Sequence, residues 1–236
     1  KLVYGAKFPE QYKNIEVNHI SKREFDHGRT RRQGVKKSDA DIFVMMTQDA
    51  MPADKYLIER LTEPLTDNVA AAYARQIPNE SCSAMEKFIR SFNYPEESRV
   101  KSLEDLGQLG IKTYFCSNVC AAYRRDIYEK LGGFVRHTIF NEDMIYAAGA
   151  MKAGYEIAYE AQAQVIHSHN YTNRQQFHRN FDLGVSQAEY PEVFGNVASE
   201  SEGKKMVLKT AAYLYRNGMA GKIPYLFLQT VCKYAG

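Results

Sequence analysis

Short unbroken apolar runs alternate along this chain with stretches whose apolar residues recur at helical spacing. Ile42-Phe43-Val44-Met45-Met46 is apolar throughout, so residues 41–46 read as a strand covered on both faces, a central parallel strand. Residues 15–20, 69–76, 157–159 and 165–166 read as further strands, and residues 114–123 form a mostly apolar segment with Ser117-Asn118 in its middle. Helical spacing marks 27–37, 54–65, 84–92, 125–131, 141–152 and 173–188. Stop signals bound several of these. Asn93-Tyr94-Pro95 ends one helix, Gly132-Gly133 and Gly154 end two more, and Asn141 suits an N-cap. From residue 203 onward the pattern is helical, broken at Gly218-Met219-Ala220-Gly221. Strands alternating with helices predict an α/β fold with a largely parallel sheet, whose ligands sit at the carboxyl ends of the strands. Asp49 falls there.

Composition narrows the class. The 236 residues are 44% hydrophobic and 25% charged, enough for a sizeable core in one domain with an appendage, taken as 1–200 and 201–236. A net charge of +3 and dispersed basic residues without interleaved stacking aromatics argue against nucleic acid. Cys82, Cys116, Cys120 and Cys232 lack zinc spacing and read as free thiols of a reducing compartment, so a cytoplasmic location is expected. Lys1 opens a polar segment with no signal-peptide pattern, and no apolar run approaches the ~20 residues of a membrane span.

Three features carry candidate chemistry: Thr47-Gln48-Asp49 after a strand, Glu142-Asp143 at a helix start, and His167-Ser168-His169 after a later strand. Each has an ordinary reading, as a turn, a dipole complement and a polar surface pair respectively. Their order and spacing are more specific. Together with Phe25-Asp26-His27-Gly28-Arg29-Thr30-Arg31, Tyr73-Ala74-Arg75-Gln76, Glu86 through Pro95, Ser117 through Arg125 and Leu131-Gly132-Gly133-Phe134, the chain resembles the inverting family-two glycosyltransferases of GT-A fold, in their rhamnosyltransferase-like branch, over roughly residues 15–190.

That resemblance implies a nucleotide-diphosphate sugar donor and a divalent cation, Mg²⁺ or Mn²⁺. Asp49 would be a metal ligand, with His167 or His169 completing the shell and His167 slightly favoured. Asp143 would be the general base and Glu142 its neighbour. Gly28, Arg29, Arg31 and Gln48 would face the donor, and Ser117 and Asn118 would line the sugar and acceptor region. Thr47 replaces the first acid of the family's Asp-x-Asp motif, leaving one carboxylate. The usual opening βαβ part has no counterpart here, so the pattern is expected to begin at its third strand, near Ile15.

The implied activity is transfer of a sugar, with rhamnose from a deoxythymidine-diphosphate donor as the candidate, to a bacterial surface polysaccharide or lipid-linked glycan. The competing readings are another hexose or N-acetylhexosamine donor, or a degenerate domain that only binds glycans or partners. The basic, amphipathic segment 204–234 packs on the domain or touches the inner face of the membrane near a lipid-linked acceptor.

Overall fold

The computed structural model describes residues 14–195, 197 and 200–236, excluding the side chains of residues 200 and 201. The polar opening at Lys1 lies outside the described residues. The chain runs α1 (His27–Val35), β1 (Ile42–Met46), β2 (Met51–Pro52), α2 (Leu57–Thr62), β3 (Val69–Ile77), α3 (Ala84–Asn93), β4 (Arg99–Lys101), α4 (Leu106–Leu109), β5 (Cys120–Arg124) and α5 (Arg125–Lys130). It continues through α6 (Glu142–Lys152), β6 (Glu156–Ile166), α7 (Asn173–Glu189), α8 (Pro191–Phe194), α9 (Glu200–Arg216) and α10 (Ile223–Ala235).

The strands form one mixed sheet ordered β1-β5-β3-β6-β2, with β4 also on β6. The α/β class holds, but the parallel character does not predominate. Among the described residues only β3–β6 is parallel; β1–β5, β3–β5, β2–β6 and β4–β6 are antiparallel. The centre is β3, whose first six residues are all buried. Among the described residues β1 ends the order, with Ile42 39% and Met46 40% exposed, so five apolar residues in a row did not mean a doubly covered strand. Residues 15–20 form no strand; Ile15, Val17 and Ile20 are exposed and no ladder reaches them. The two short strands expected near residues 157 and 166 are one strand, β6, whose register against β3 shifts between Ala74 and Arg75.

Small residues explain the compact centre. Ala70, Ala71, Ala72 and Ala74 on β3, Ala121 and Ala122 on β5, and Ala158, Ala161 and Ala163 on β6 are buried. They leave room for large rings on one face, where Tyr123 meets Phe43 (5.3 Å), Phe134 (5.2 Å) and Tyr146 (5.4 Å). Each such pair contributes ~0.5–1.5 kcal/mol beyond its area. A separate cluster of Met85, Ile89, Leu214 and Leu226 docks α9 and α10 onto α3. Cys82, Cys116, Cys120 and Cys232 are free thiols.

Gly28, expected to face the donor, has a packing role in the fold. It sits inside α1, where a Cβ would lie 2.0 Å from the Val135 carbonyl oxygen. Gly28→Ala is therefore expected to cost ~3 kcal/mol through overpacking. Gly34→Ala on the same helix meets nothing within 4 Å and gains up to ~1 kcal/mol of helix propensity. Urea midpoints test the pair; equal midpoints would contradict the close approach at Val135.

Candidate active site

The β2–β6 ladder sets one half of the site. Met51 opposes Ile166, so the turn before Met51 lies beside the residues that leave β6. Ala50 N–H bonds the Thr47 carbonyl (3.2 Å), and this turn presents Asp49. His167 continues β6 by bonding the Ile77 carbonyl (3.0 Å). Asp49 Oδ1 lies 3.5 Å from His167 Nε2 and Oδ2 lies 3.3 Å from His169 Nε2; the two Nε2 atoms are 3.0 Å apart. All three ligand atoms fall within 4.8 Å of one another, a set able to hold a metal ion. Both histidines that the spacing could not separate are therefore in place. Gln48 is exposed beside them.

Gln76 fixes the tautomer of His167. Its Oε1 accepts from Arg90 Nη1 (2.6 Å), and a guanidinium only donates, so this atom is the carbonyl oxygen. The same oxygen faces His167 Nδ1 at 2.8 Å, so Nδ1 carries the proton and Nε2 offers its lone pair toward Asp49. Burial pushes His167 down to about 4, keeping the ring neutral near pH 7. Burial also lowers His169. At Asp49 burial pushes the carboxyl up, but the neighbouring Thr47 hydroxyl and the charge of His167 outweigh it, so the group lies below its ordinary value.

The other half is built by the bend into α6. Asn141 stands at the N-cap position but in the left-handed region (φ 66), and its amide donates to Ser186 Oγ (3.2 Å) instead of capping the helix. The bend aims Glu142 and Asp143 at the loop before β5. Asn118 holds both acids: its backbone N–H donates to Asp143 Oδ2 (2.8 Å) and its side chain to Glu142 Oε1 (2.9 Å). Tyr123 O–H orients Asn118 in turn (2.7 Å). Burial, and then the Glu142 charge, raises Asp143 to about 7, a value matched to a general base.

The halves are joined. Gln76 Nε2 donates to Ser117 Oγ (2.9 Å), next to Asn118. On the other side Arg31 pairs with Glu142 (3.1 Å) and donates to His27 Nδ1 (2.7 Å). The neighbouring arginines are engaged by backbone: Arg29 donates to the Glu24 carbonyl (2.5 Å), and Arg32 to those of Gly132 and Phe134. Gln76 and Arg90 lie within stretches that marked the family resemblance, but no spacing announced their task. Arg179, on α7, had no motif at all.

Comparison with known proteins places the chain in a family. The profile of glycosyl transferase family 2 matches residues 5–132. The O-antigen chain rhamnosyltransferase RfbN of Salmonella typhimurium is 43% identical over 229 residues, 95% of this chain and 72% of that protein. The O-antigen chain rhamnosyltransferase WbaN of Salmonella anatum is also 43% identical, over 92% of this chain and 70% of that one. The solved mannosyltransferase PcManGT of Pyrobaculum calidifontis, in complex with GDP-Man and Mn²⁺, shares the fold at TM-score 0.50 and 12% identity, covering 92% of this chain and 68% of its own. The chain belongs to glycosyl transferase family 2, as a glycosyltransferase of GT-A fold on its rhamnosyltransferase-like branch.

Proposed function

We propose that the chain transfers rhamnose from a deoxythymidine-diphosphate donor to a growing O-antigen-type surface polysaccharide, with inversion at the anomeric carbon. The observation that carries the mechanism is Asp143, a carboxylate held by Asn118 N–H and raised to about 7. The acceptor hydroxyl gives its proton to Asp143 as its oxygen bonds the anomeric carbon, and the pair of the breaking bond leaves on the diphosphate oxygen. Glu142, tied to Arg31 and Asn118, stands beside Asp143 and orients the loop. Similarity to two rhamnosyltransferases supports the choice of sugar.

Asp49, His167 and His169 are the residues that would hold a divalent ion. Such an ion supplies positive charge against the leaving diphosphate. One carboxylate with two imidazoles suits Mn²⁺ better than Mg²⁺, which strongly prefers oxygen. Gln76→Leu is expected to weaken Mn²⁺ binding ~10- to 100-fold, because the His167 tautomer is no longer fixed. Calorimetry checks this, and wild-type affinity would count against Gln76 as the orienting group.

No helix among the described residues is long and apolar enough to cross a membrane. Exposed Leu208, Tyr215, Phe227, Val231 and Tyr234, among the lysines of α9 and α10, support peripheral contact with the inner membrane face. A donor panel read by nucleotide release tests the reading. Preference for the deoxythymidine-diphosphate rhamnose donor is expected, and equal or better turnover of a glucose or N-acetylhexosamine donor would overturn the sugar assignment.

A further inference from the structure

The proposed reaction leaves one charge without a counterpart. As the donor bond breaks, its electron pair stays on the diphosphate, which becomes more negative. The ion site opposite it has a single anionic ligand, Asp49, flanked by imidazoles. The arginines expected to meet that charge are taken, Arg29 by a backbone carbonyl and Arg31 by Glu142, and so is their neighbour Arg32, by backbone carbonyls.

Arg179 is differently placed. Its guanidinium carbon lies 4.9 Å from the centre of the Phe140 ring and 5.8 Å from that of Tyr171. Those rings reach both halves of the site. Phe140 stacks on His27 (5.5 Å), the partner of Arg31, and Tyr171 stacks on His169 (4.8 Å). The order His27, Phe140, Arg179, Tyr171, His169 therefore runs from the acid pair to the candidate metal ligands. The charge of Arg179 is felt at His27, His167 and His169 alike. Among the described residues no carboxylate pairs with it, and the side chain is exposed. Two aromatic faces hold a planar cation in position while leaving its N–H edge free to donate, the arrangement that suits bidentate binding of phosphate.

We infer that Arg179 is the cation that binds the donor diphosphate and neutralises it as it leaves. The inference rests on the reaction proposed above. A lipid-borne diphosphate on the acceptor has the same chemistry. The donor is favoured because the ring row ends at His169, beside Asp49, where the donor diphosphate would lie.

The test uses the wild-type chain, Arg179→Ala and Arg179→Lys, with deoxythymidine diphosphate, deoxythymidine monophosphate and a short polyprenyl diphosphate, each titrated calorimetrically in Mn²⁺. Arg179→Ala is expected to lose ~10-fold or more in affinity for the nucleoside diphosphate, the size of one charge-assisted hydrogen bond. It should lose less for the monophosphate, and kcat for transfer should fall with it. Arg179→Lys should recover part of both, since it restores charge without the planar fork. Melting curves matching wild type show that folding is not the cause. Wild-type affinity for the nucleoside diphosphate in a folded Arg179→Ala overturns the inference. So does a loss confined to the polyprenyl diphosphate, which would assign Arg179 to the acceptor. If the wild-type chain itself binds no deoxythymidine diphosphate, the proposed function fails first and this inference falls with it.

Discussion

Asp143→Asn lowers kcat for sugar transfer by ~10²- to 10⁴-fold, the usual contribution of a positioned general base. The amide nearly matches the carboxylate in shape, and Asn118 N–H can still donate to its oxygen, while Met144 N–H, which donates to the other carboxylate oxygen (2.8 Å), loses its acceptor, so a melting curve accompanies the assay. Donor and Mn²⁺ binding should stay close to wild type, because Asp49, His167 and His169 are untouched. Near-normal transfer by this variant would remove Asp143 from the mechanism. The wild-type pH profile follows from the same group. With Asp143 raised to about 7, chiefly by burial, the base is protonated in acid, and kcat/KM should climb as pH rises toward 7 and level off above it. The effect on stability has the opposite sense. The folded carboxyl holds its proton up to about 7, while the unfolded one releases it near ~3.9. The folded state thus binds more protons in that window, and the contribution of this group to stability falls as pH rises through it. Asp143→Asn should flatten both trends.

Asp49→Ala is expected to abolish measurable Mn²⁺ binding, a loss of at least ~100-fold, beyond the ~10- to 100-fold typical for losing a group that only orients a ligand. Mn²⁺-dependent binding of the nucleoside diphosphate should vanish with it. Asp49 is the only carboxylate in the cluster, and two neutral imidazoles alone hold a hard cation poorly. Its side chain is 46% exposed, so the fold should lose no more than ~0.5 kcal/mol. Electron paramagnetic resonance of added Mn²⁺ reports the free ion directly. A bound fraction equal to wild type would mean that the cation, if held, is held elsewhere.

Much of this was legible in the chain before the fold was known. Gly132 and Gly133, both at positive φ, stop α5 as their spacing indicated, and Gly154 stops α6 in the same way. Asp49, Glu142, Asp143, His167 and His169 could be singled out because acids and imidazoles after strands or at helix starts are chemically conspicuous. Strand order was not legible. The apolar run at β1 looked central, yet the centre is β3, where alanines give a weak hydrophobic signal but a close fit. The role of Asn141 was also hidden, since a left-handed bend and an N-cap favour the same residue. Gln76 and Arg179 were missed because their work depends on partners far away in sequence: His167 lies across the β3–β6 ladder, and Phe140 and Tyr171 lie on two different loops.

The most direct test of the central claim, a single displacement at the anomeric carbon with Asp143 as base, is the configuration of the product. Purified protein, a nucleotide-sugar donor that it turns over, Mn²⁺ and acceptor glycan would be combined, and the anomeric proton of the new linkage read by NMR. A configuration opposite to that of the donor is the expected result. Retention would contradict the claim, because it requires a second displacement, or a front-face route, that one base beside the acceptor does not provide.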